Sequence, residues 1–370
     1  MTAVSATPSV SAPPIPESMD ALALLGPDEF EVREVEVPRA GAGEILCRVH
    51  SVAVCGTDTE IISGRFLERG WPRGYPFTPG HEWSGEIVAL GDGVAGLGLE
   101  VGDRVAGTAH CGCGYCRMCA IGRYTLCENY GHEELGHRHY GHYSTGALRQ
   151  FHNTSIKSVF PIPDSMTLEQ GALVDASSIA LHAVKRGRVV PGDTVAIIGS
   201  GAQGLLAAQC AHLMGAAQVI VVGRGARLET AAELGAEVVD NTKVDGPQAV
   251  RHLTGGKGAH MTVDTAARGS SPADAVEMTR KGGRVALIGV PLEGCELPLA
   301  RIVLEEMDLF GVRANPGTCA EVIPLIAAGE LDVDTVTTHA FPLKEFARAY
   351  ETFTKRIDGA LKVLVQPNVE

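Results

Sequence analysis

The feature that most constrains this chain is a glycine turn set between a strand and a helix. Val195-Ala196-Ile197-Ile198 runs directly into Gly199-Ser200-Gly201-Ala202-Gln203-Gly204, then into the helix-forming residues 205–214 and a second apolar run, 219–222. Strand, turn, helix and strand in that order make a βαβ unit and so a parallel sheet. In this context the spacing of Gly199, Gly201 and Gly204 lets the backbone approach a pyrophosphate at the positive end of a helix, which predicts a dinucleotide site.

The same alternation continues through residues 230–234, 261–263 and 284–288, so residues 177–313 are expected to form one doubly wound α/β unit. Residues 21–163 have a different texture. Short β-rich runs (45–54, 85–90, 104–108) are separated by Gly and Pro, the pattern of an irregular, mainly antiparallel β domain. The tail carries two helical segments, 320–328 and 343–353, and a terminal strand, 360–365. A length of 370 residues favours two domains. The net charge of −13 disfavours nucleic acid and anionic lipid as partners and leaves a small molecule as the expected ligand. The longest apolar stretch, 194–223, is broken by glycines, Gln203, Gln209 and His212 and is no membrane span. Residues 1–20 read as a flexible Ser/Pro/Ala-rich arm without a secretion signal, so the cytoplasm is the expected compartment.

Of ten cysteines, five lie between Cys111 and Cys127. Cys113, Cys116, Cys119 and Cys127 follow a C-x-x-C-x-x-C pattern closed by a fourth cysteine, with Gly112, Gly114 and Gly122 allowing tight turns. Four thiolates from one short loop complete a tetrahedral zinc shell and leave no position for substrate, so the site is expected to be structural. Cys111 stands outside the pattern.

Upstream, Cys55-Gly56-Thr57-Asp58 and Gly80-His81-Glu82 each end an apolar run. A thiolate and an imidazole suit an open zinc site that takes a third protein ligand. Asp175 is the candidate for that ligand; its other role would be to cap a helix beginning near Ser177. With the four-cysteine lobe and the glycine turn, in this order and at these intervals, the chain after Ala21 resembles the zinc-dependent medium-chain alcohol dehydrogenases, in particular the sorbitol and threonine dehydrogenase branches.

The resemblance implies a GroES-like, mainly β catalytic domain (21–176 and 314–370) and a Rossmann domain (177–313). It implies zinc at Cys55 and His81, with Glu82 as a ligand or as a partner of the ligands. In the family the third position is cysteine or glutamate; the shorter aspartate here leaves a water or Glu82 as the alternative. Thr57 matches the family's proton-accepting hydroxyl. Glu60 stands where the family commonly relays the proton through histidine, and is either its replacement or a surface glutamate. Lys362 matches a basic residue near the pyrophosphate. Two zinc ions per chain, hydride transfer between an alcohol and NAD(P), and a homodimer or homotetramer complete what the resemblance implies.

The strand after the glycine turn ends at Gly223, where an NAD site carries a carboxylate for the ribose, and Arg224 and Arg227 follow. A guanidinium pairs with a 2′-phosphate, so NADP is favoured over NAD; as the alternative, both arginines are solvated loop charges. The run 131–146 holds His132, His137, His139 and His142 with two tyrosines. It reads as a polar loop lining the cleft or a subunit contact rather than a third metal site, and a cleft lined this way favours a polyol, sugar or cyclitol. The competing functions are a zinc-independent enone or quinone reductase of the same fold and a non-catalytic nucleotide-binding protein. The Cys55, His81 and Glu82 set argues against the first, and the intact metal and glycine motifs argue against the second.

Overall fold

The structure, a computed structural model, describes residues 14–369. Six parallel strands form one sheet in the order Glu237–Asp240, Gln218–Gly223, Thr194–Ile198, Ala259–Asp264, Thr279–Leu287 and Asp308–Gly311. The chain starts in the middle, builds outward to one side and then crosses to the other, which is the doubly wound arrangement. Thr194–Ile198 is buried on both faces, which is why it reads as an unbroken apolar run. Its side chains alternate between two cores. Val195 and Ile197 pack with Val219, Val221, Met261 and the helices Val174–Arg186 and Ala202–Leu213, whereas Ala196 and Ile198 pack with Ile220, Val222, Val239 and Val285 on the opposite face.

The second sheet has seven strands and is mostly antiparallel. Along it lie Thr337–Pro342, Lys362–Gln366, Glu44–Ala53, Glu82–Leu90, Arg104–Gly107 and Val159–Pro161, with Phe151–Ser155 also paired to Glu44–Ala53. Its largest buried side chains include Trp83, Ile45 and Ile87, and the helix Phe346–Lys355 contributes Phe346 to the same core. The cysteine lobe is a short excursion from this sheet, containing the helix Arg117–Ala120 and the small ladder His110–Cys111 with Arg138–His139.

Three expectations change. Residues 1–13 of the expected arm lie outside the described residues, but Ser18–Gly26 is a strand paired antiparallel with Glu29–Glu36, in register from Ser18↔Glu36 to Leu24↔Phe30 with a shift before Gly26↔Glu29. Leu22 and Leu24 are buried on one face of this hairpin and Met19 on the other, so burial of both faces holds the segment down despite its Ser- and Pro-rich approach. The helix expected near Ser177 begins at Val174, and the proposed domain boundary at 176/177 falls inside it. This helix packs into the core of the parallel sheet through Ala180, Leu181 and Val184.

Ile197 is fully buried at the centre of the parallel sheet. Ile197→Ala is expected to lower the stability of the protein by about 2–5 kcal/mol, through lost transfer energy and the cavity left behind. Urea unfolding followed by circular dichroism checks this; a shift below about 0.5 kcal/mol, the size of an ordinary surface substitution, contradicts the placement.

Candidate active site

Strand register assembles the ligands. Ala53 pairs with Glu82 across the antiparallel ladder, so Cys55, two residues past the end of one strand, meets His81 and Glu82 at the start of the next. One ligand atom from each of Cys55, His81 and Glu82 lies within 4.8 Å of the others. Cys55 is also the N-cap of the helix Gly56–Ile62, where its backbone N–H donates to Asp58 Oδ2 at 2.8 Å. The other oxygen, Oδ1, lies 3.3 Å from His81 Nδ1. Neither of these two buried atoms has a hydrogen-bond partner elsewhere. Burial opposes a charge on His81, but the Asp58 carboxylate outweighs it and holds the imidazole well above its ordinary value. With Nδ1 engaged by a carboxylate, Nε2 is the nitrogen left for a metal. Thiolate, imidazole and carboxylate together fit a zinc site with an open fourth position.

Glu82 has a second partner. Lys362 Nζ donates to its Oε2, and both side chains are buried. Burial disfavours the lysine's charge, yet Glu82 and Cys55 raise its pKa.

Asp175 is not brought into the three-ligand group. It sits in the first turn of Val174–Arg186 rather than at the cap, and its Oδ1 accepts from Asn315 Nδ2 at 2.8 Å. Burial, then the charge of Glu82, push its pKa up to about 6 against the pull of His81, Asn315 and Lys362. The short stem leaves this carboxylate behind the site, held by Asn315, which also donates to Ser178 Oγ at 2.9 Å. Asp175, expected as the third ligand, therefore stands outside the group, and Glu82 stands inside it. Thr57 is half-buried beside Asp58. Glu60 is buried, 7% exposed, with Arg65 and Arg268 at ion-pair distance.

The sulfur atoms of Cys113, Cys116, Cys119 and Cys127 form the second metal-competent group. Cys113 and Cys119 are 3.9 Å apart at sulfur and Cys116 and Cys127 3.8 Å. A tetrahedron with Zn–S bonds of about 2.3 Å has edges of about 3.8 Å, so the loop has the dimensions of a closed zinc shell. Backbone N–H groups of Cys113, Cys116, Cys119 and Glu128 donate to the sulfurs, and Cys111 stays outside.

The dinucleotide cleft, about 690 Å³, is lined by the turn 199–203, by Gly223, Arg224, Arg227 and Lys362, and by Cys55 and Glu82. Gly199 has φ 110°, and any side chain on Gly204 would overlap the Gly199 carbonyl, so both glycines are required by the backbone itself. Arg224 is exposed on the cleft wall. Arg227 donates to the Ala360 carbonyl, and burial, with Arg356 nearby, lowers its pKa to about 10. A larger groove of about 1030 Å³ beside the N-terminal hairpin shares no residue with these sites.

Comparison with known proteins agrees with this geometry. Residues 41–164 match the alcohol dehydrogenase GroES-like domain and residues 202–328 the zinc-binding dehydrogenase domain. Sorbitol dehydrogenase of Bacillus subtilis (strain 168) is 31% identical over 363 residues, covering 96% of this chain and 99% of that protein. The chain belongs to the zinc-dependent medium-chain alcohol dehydrogenases. Among solved relatives of this dehydrogenase, an alcohol dehydrogenase from E. coli CFT073 in complex with NADH superposes with TM-score 0.85 at 26% identity, covering 95% of this chain and 100% of that one. A zinc-binding dehydrogenase of Sinorhizobium meliloti 1021 bound to NADP gives TM-score 0.84 at 28% identity, with 95% and 99% covered.

The dehydrogenase also has a feature the sequence did not disclose. His110, His139 and His142 stack face to face, with ring centroids 4.0 and 3.5 Å apart, and His142 lies 4.7 Å from His81. Burial pushes His139 and His110 well below their ordinary value, and takes His142 down to about 3 and His137 to about 4, so the column is neutral at physiological pH. Among the described residues these histidines form no metal group. Only His132 is exposed, paired with Glu134 at 2.8 Å.

Because the folded pKa of Asp175 lies above its unfolded value of about 3.9, its contribution to stability is lost as pH rises from about 4 through 6. In zinc-free protein Asp175→Asn is therefore expected to be more stable than wild type by about 2–3 kcal/mol at neutral pH, with the gap closing below about pH 4. A gap that does not change with pH, measured by urea unfolding, contradicts the assignment.

Proposed function

We propose that this dehydrogenase interconverts a polyol-type secondary alcohol and its ketone, with NADP as hydride partner and two zinc ions per chain. One observation carries the reading: Cys55 and Glu82 line the same cleft as Gly199 and Gly201, so a dinucleotide seated on the glycine turn reaches the metal ligands. Zinc held by Cys55, His81 and Glu82 supplies Lewis acidity toward an alcohol or carbonyl oxygen. Asp58 fixes the tautomer of His81, and Lys362 offsets the charge that Glu82 and Cys55 bring to a buried site. Thr57, in the first helical turn after Cys55, would accept a hydrogen bond from the alcohol and pass its own hydroxyl proton on toward solvent as the alcohol's proton arrives. A polyol substrate is supported by the sorbitol dehydrogenases among the relatives.

The preference for NADP rests on Gly223. A Cβ there would lie 2.5 Å from Ser200 Oγ, so Ser200 occupies the space that an acidic side chain would need. Arg224 follows on the cleft wall with Asn241 and Arg356, and supplies the guanidinium for a 2′-phosphate. Two further readings belong here. A homodimer or homotetramer is supported by Asp308–Gly311, the last strand of the parallel sheet, and by exposed Leu299, Val303 and Leu304 nearby in sequence. A reducing, cytoplasmic compartment is supported by ten cysteines without a disulfide; among the described residues no helix is long and apolar enough to cross a membrane.

Fluorescence titration with NADPH and NADH tests the cofactor, and a polyol screen then tests the substrate class. NADPH is expected to bind the more tightly, and Arg224→Ala to weaken NADPH by about ten-fold or more while leaving NADH unchanged. Tighter NADH binding by the wild type contradicts the role given to Gly223 and Arg224.

A further inference from the structure

Glu60 is a buried carboxylate that the hydride chemistry does not use. It lies in the helix Gly56–Ile62, two residues beyond Asp58, and is 7% exposed. A carboxylate is buried in the charged form only where other groups replace its water. Here two guanidinium groups supply opposite charge at ion-pair distance rather than hydrogen bonds: Arg65 Nε lies 2.6 Å from Oε2, which accepts no hydrogen bond, and Arg268 Nη2 lies 3.7 Å from Oε1.

The two arginines come from different sheets. Arg65 follows the helix Gly56–Ile62, which leads out of the seven-stranded sheet, and Arg268 follows Ala259–Asp264 at the centre of the parallel sheet. Both line the dinucleotide cleft, and apart from their contact with Glu60 both side chains are open to solvent. Each is steadied locally. Arg65 Nε donates to Ser63 Oγ at 3.2 Å, and the Arg268 N–H donates to Ser271 Oγ at 3.1 Å, whose own hydroxyl donates to Asp264. The same segment reaches the parallel sheet a second time, where Arg69 Nη2 donates to the Pro291 carbonyl at 3.3 Å.

We propose that Glu60 is a positioning residue for the cofactor: it holds Arg65 and Arg268 on facing walls of the cleft so that both guanidinium groups meet the anionic part of a bound dinucleotide. The proposal rests on the reading of this cleft as the nicotinamide dinucleotide site. Five donors per guanidinium allow one arginine to serve the carboxylate and a phosphate at once. A free arginine side chain gives up rotamer freedom when it binds; one already held by a buried anchor gives up less, which strengthens binding without a new contact. Glu60 thus acts in binding rather than in carrying the substrate proton, because each of its oxygens already faces a guanidinium.

The test titrates zinc-loaded protein with NADPH and NADH by fluorescence and follows kcat and cofactor KM across pH. Glu60→Gln is expected to weaken dinucleotide binding and raise cofactor KM by about ten-fold, with the pH profile of kcat keeping its shape. Arg268→Ala changes an exposed side chain, so it is expected to fold normally and to weaken binding in the same way. Combining the two should cost little more than the larger single effect, since both remove one contact. Unchanged binding in both variants overturns the proposal, as does a Glu60→Gln enzyme that binds normally but loses a limb of its kcat profile, the mark of a proton carrier. A wild-type protein that binds neither nucleotide overturns the reading of the cleft, and the proposal with it.

Discussion

The site depends on the pairing of three strands. Glu44–Ala53 lies between Glu82–Leu90 and Lys362–Gln366, so Ala53 is paired with Glu82 on one side and with Leu364 on the other. This register brings residues from three distant parts of the chain to one end of the sheet: Cys55 just past the middle strand, His81 and Glu82 at the start of the second, and Lys362 at the start of the third. A slip of one residue would turn alternate side chains to the other face and separate the ligands. The buried Glu82–Lys362 pair sits at this junction, and removing either partner leaves an uncompensated charge, which costs about 3–5 kcal/mol.

The parallel sheet imposes the complementary constraint. Its central strand delivers the glycine turn to the carboxyl end of the sheet, where doubly wound folds bind their ligands. Gly199 and Gly204 meet so closely that no side chain fits, and Ser200 closes the space over Gly223 in the same way. The backbone of the glycine turn therefore leaves room for a pyrophosphate to approach, and the Ser200 side chain stands where a side chain at the end of the second strand would go.

Much of this was legible because it depends on local spacing. The four thiols of the lobe lie within one short loop, and the glycine turn sits between two periodic segments, so sequence alone located both. What was not legible depends on contacts between distant residues. Asp175 looked like a ligand because its neighbours in sequence say nothing of Asn315, which lies 140 positions on and holds its carboxylate. Glu60 looked like a relay or a surface group because Arg268 is equally remote. The histidine run showed its composition but not its stacking, since His110 enters the column from a different strand of the small ladder. At the N-terminus, Ser and Pro preceding the hairpin masked the apolar run around Leu22 and Leu24 that packs as a strand.

Two ion pairs now meet at one place: Glu82 with Lys362, and Asp58 with His81. That arrangement suits a divalent ion held by three protein groups with one position open. Zinc-edge anomalous diffraction from crystals of the zinc-loaded protein tests this most directly. Two peaks per chain are predicted, one among Cys113, Cys116, Cys119 and Cys127, and one at about 2.0–2.3 Å from Cys55 Sγ, His81 and Glu82. A second peak bound through Asp175 with Glu82 turned away to Lys362, or no second peak, would contradict the account.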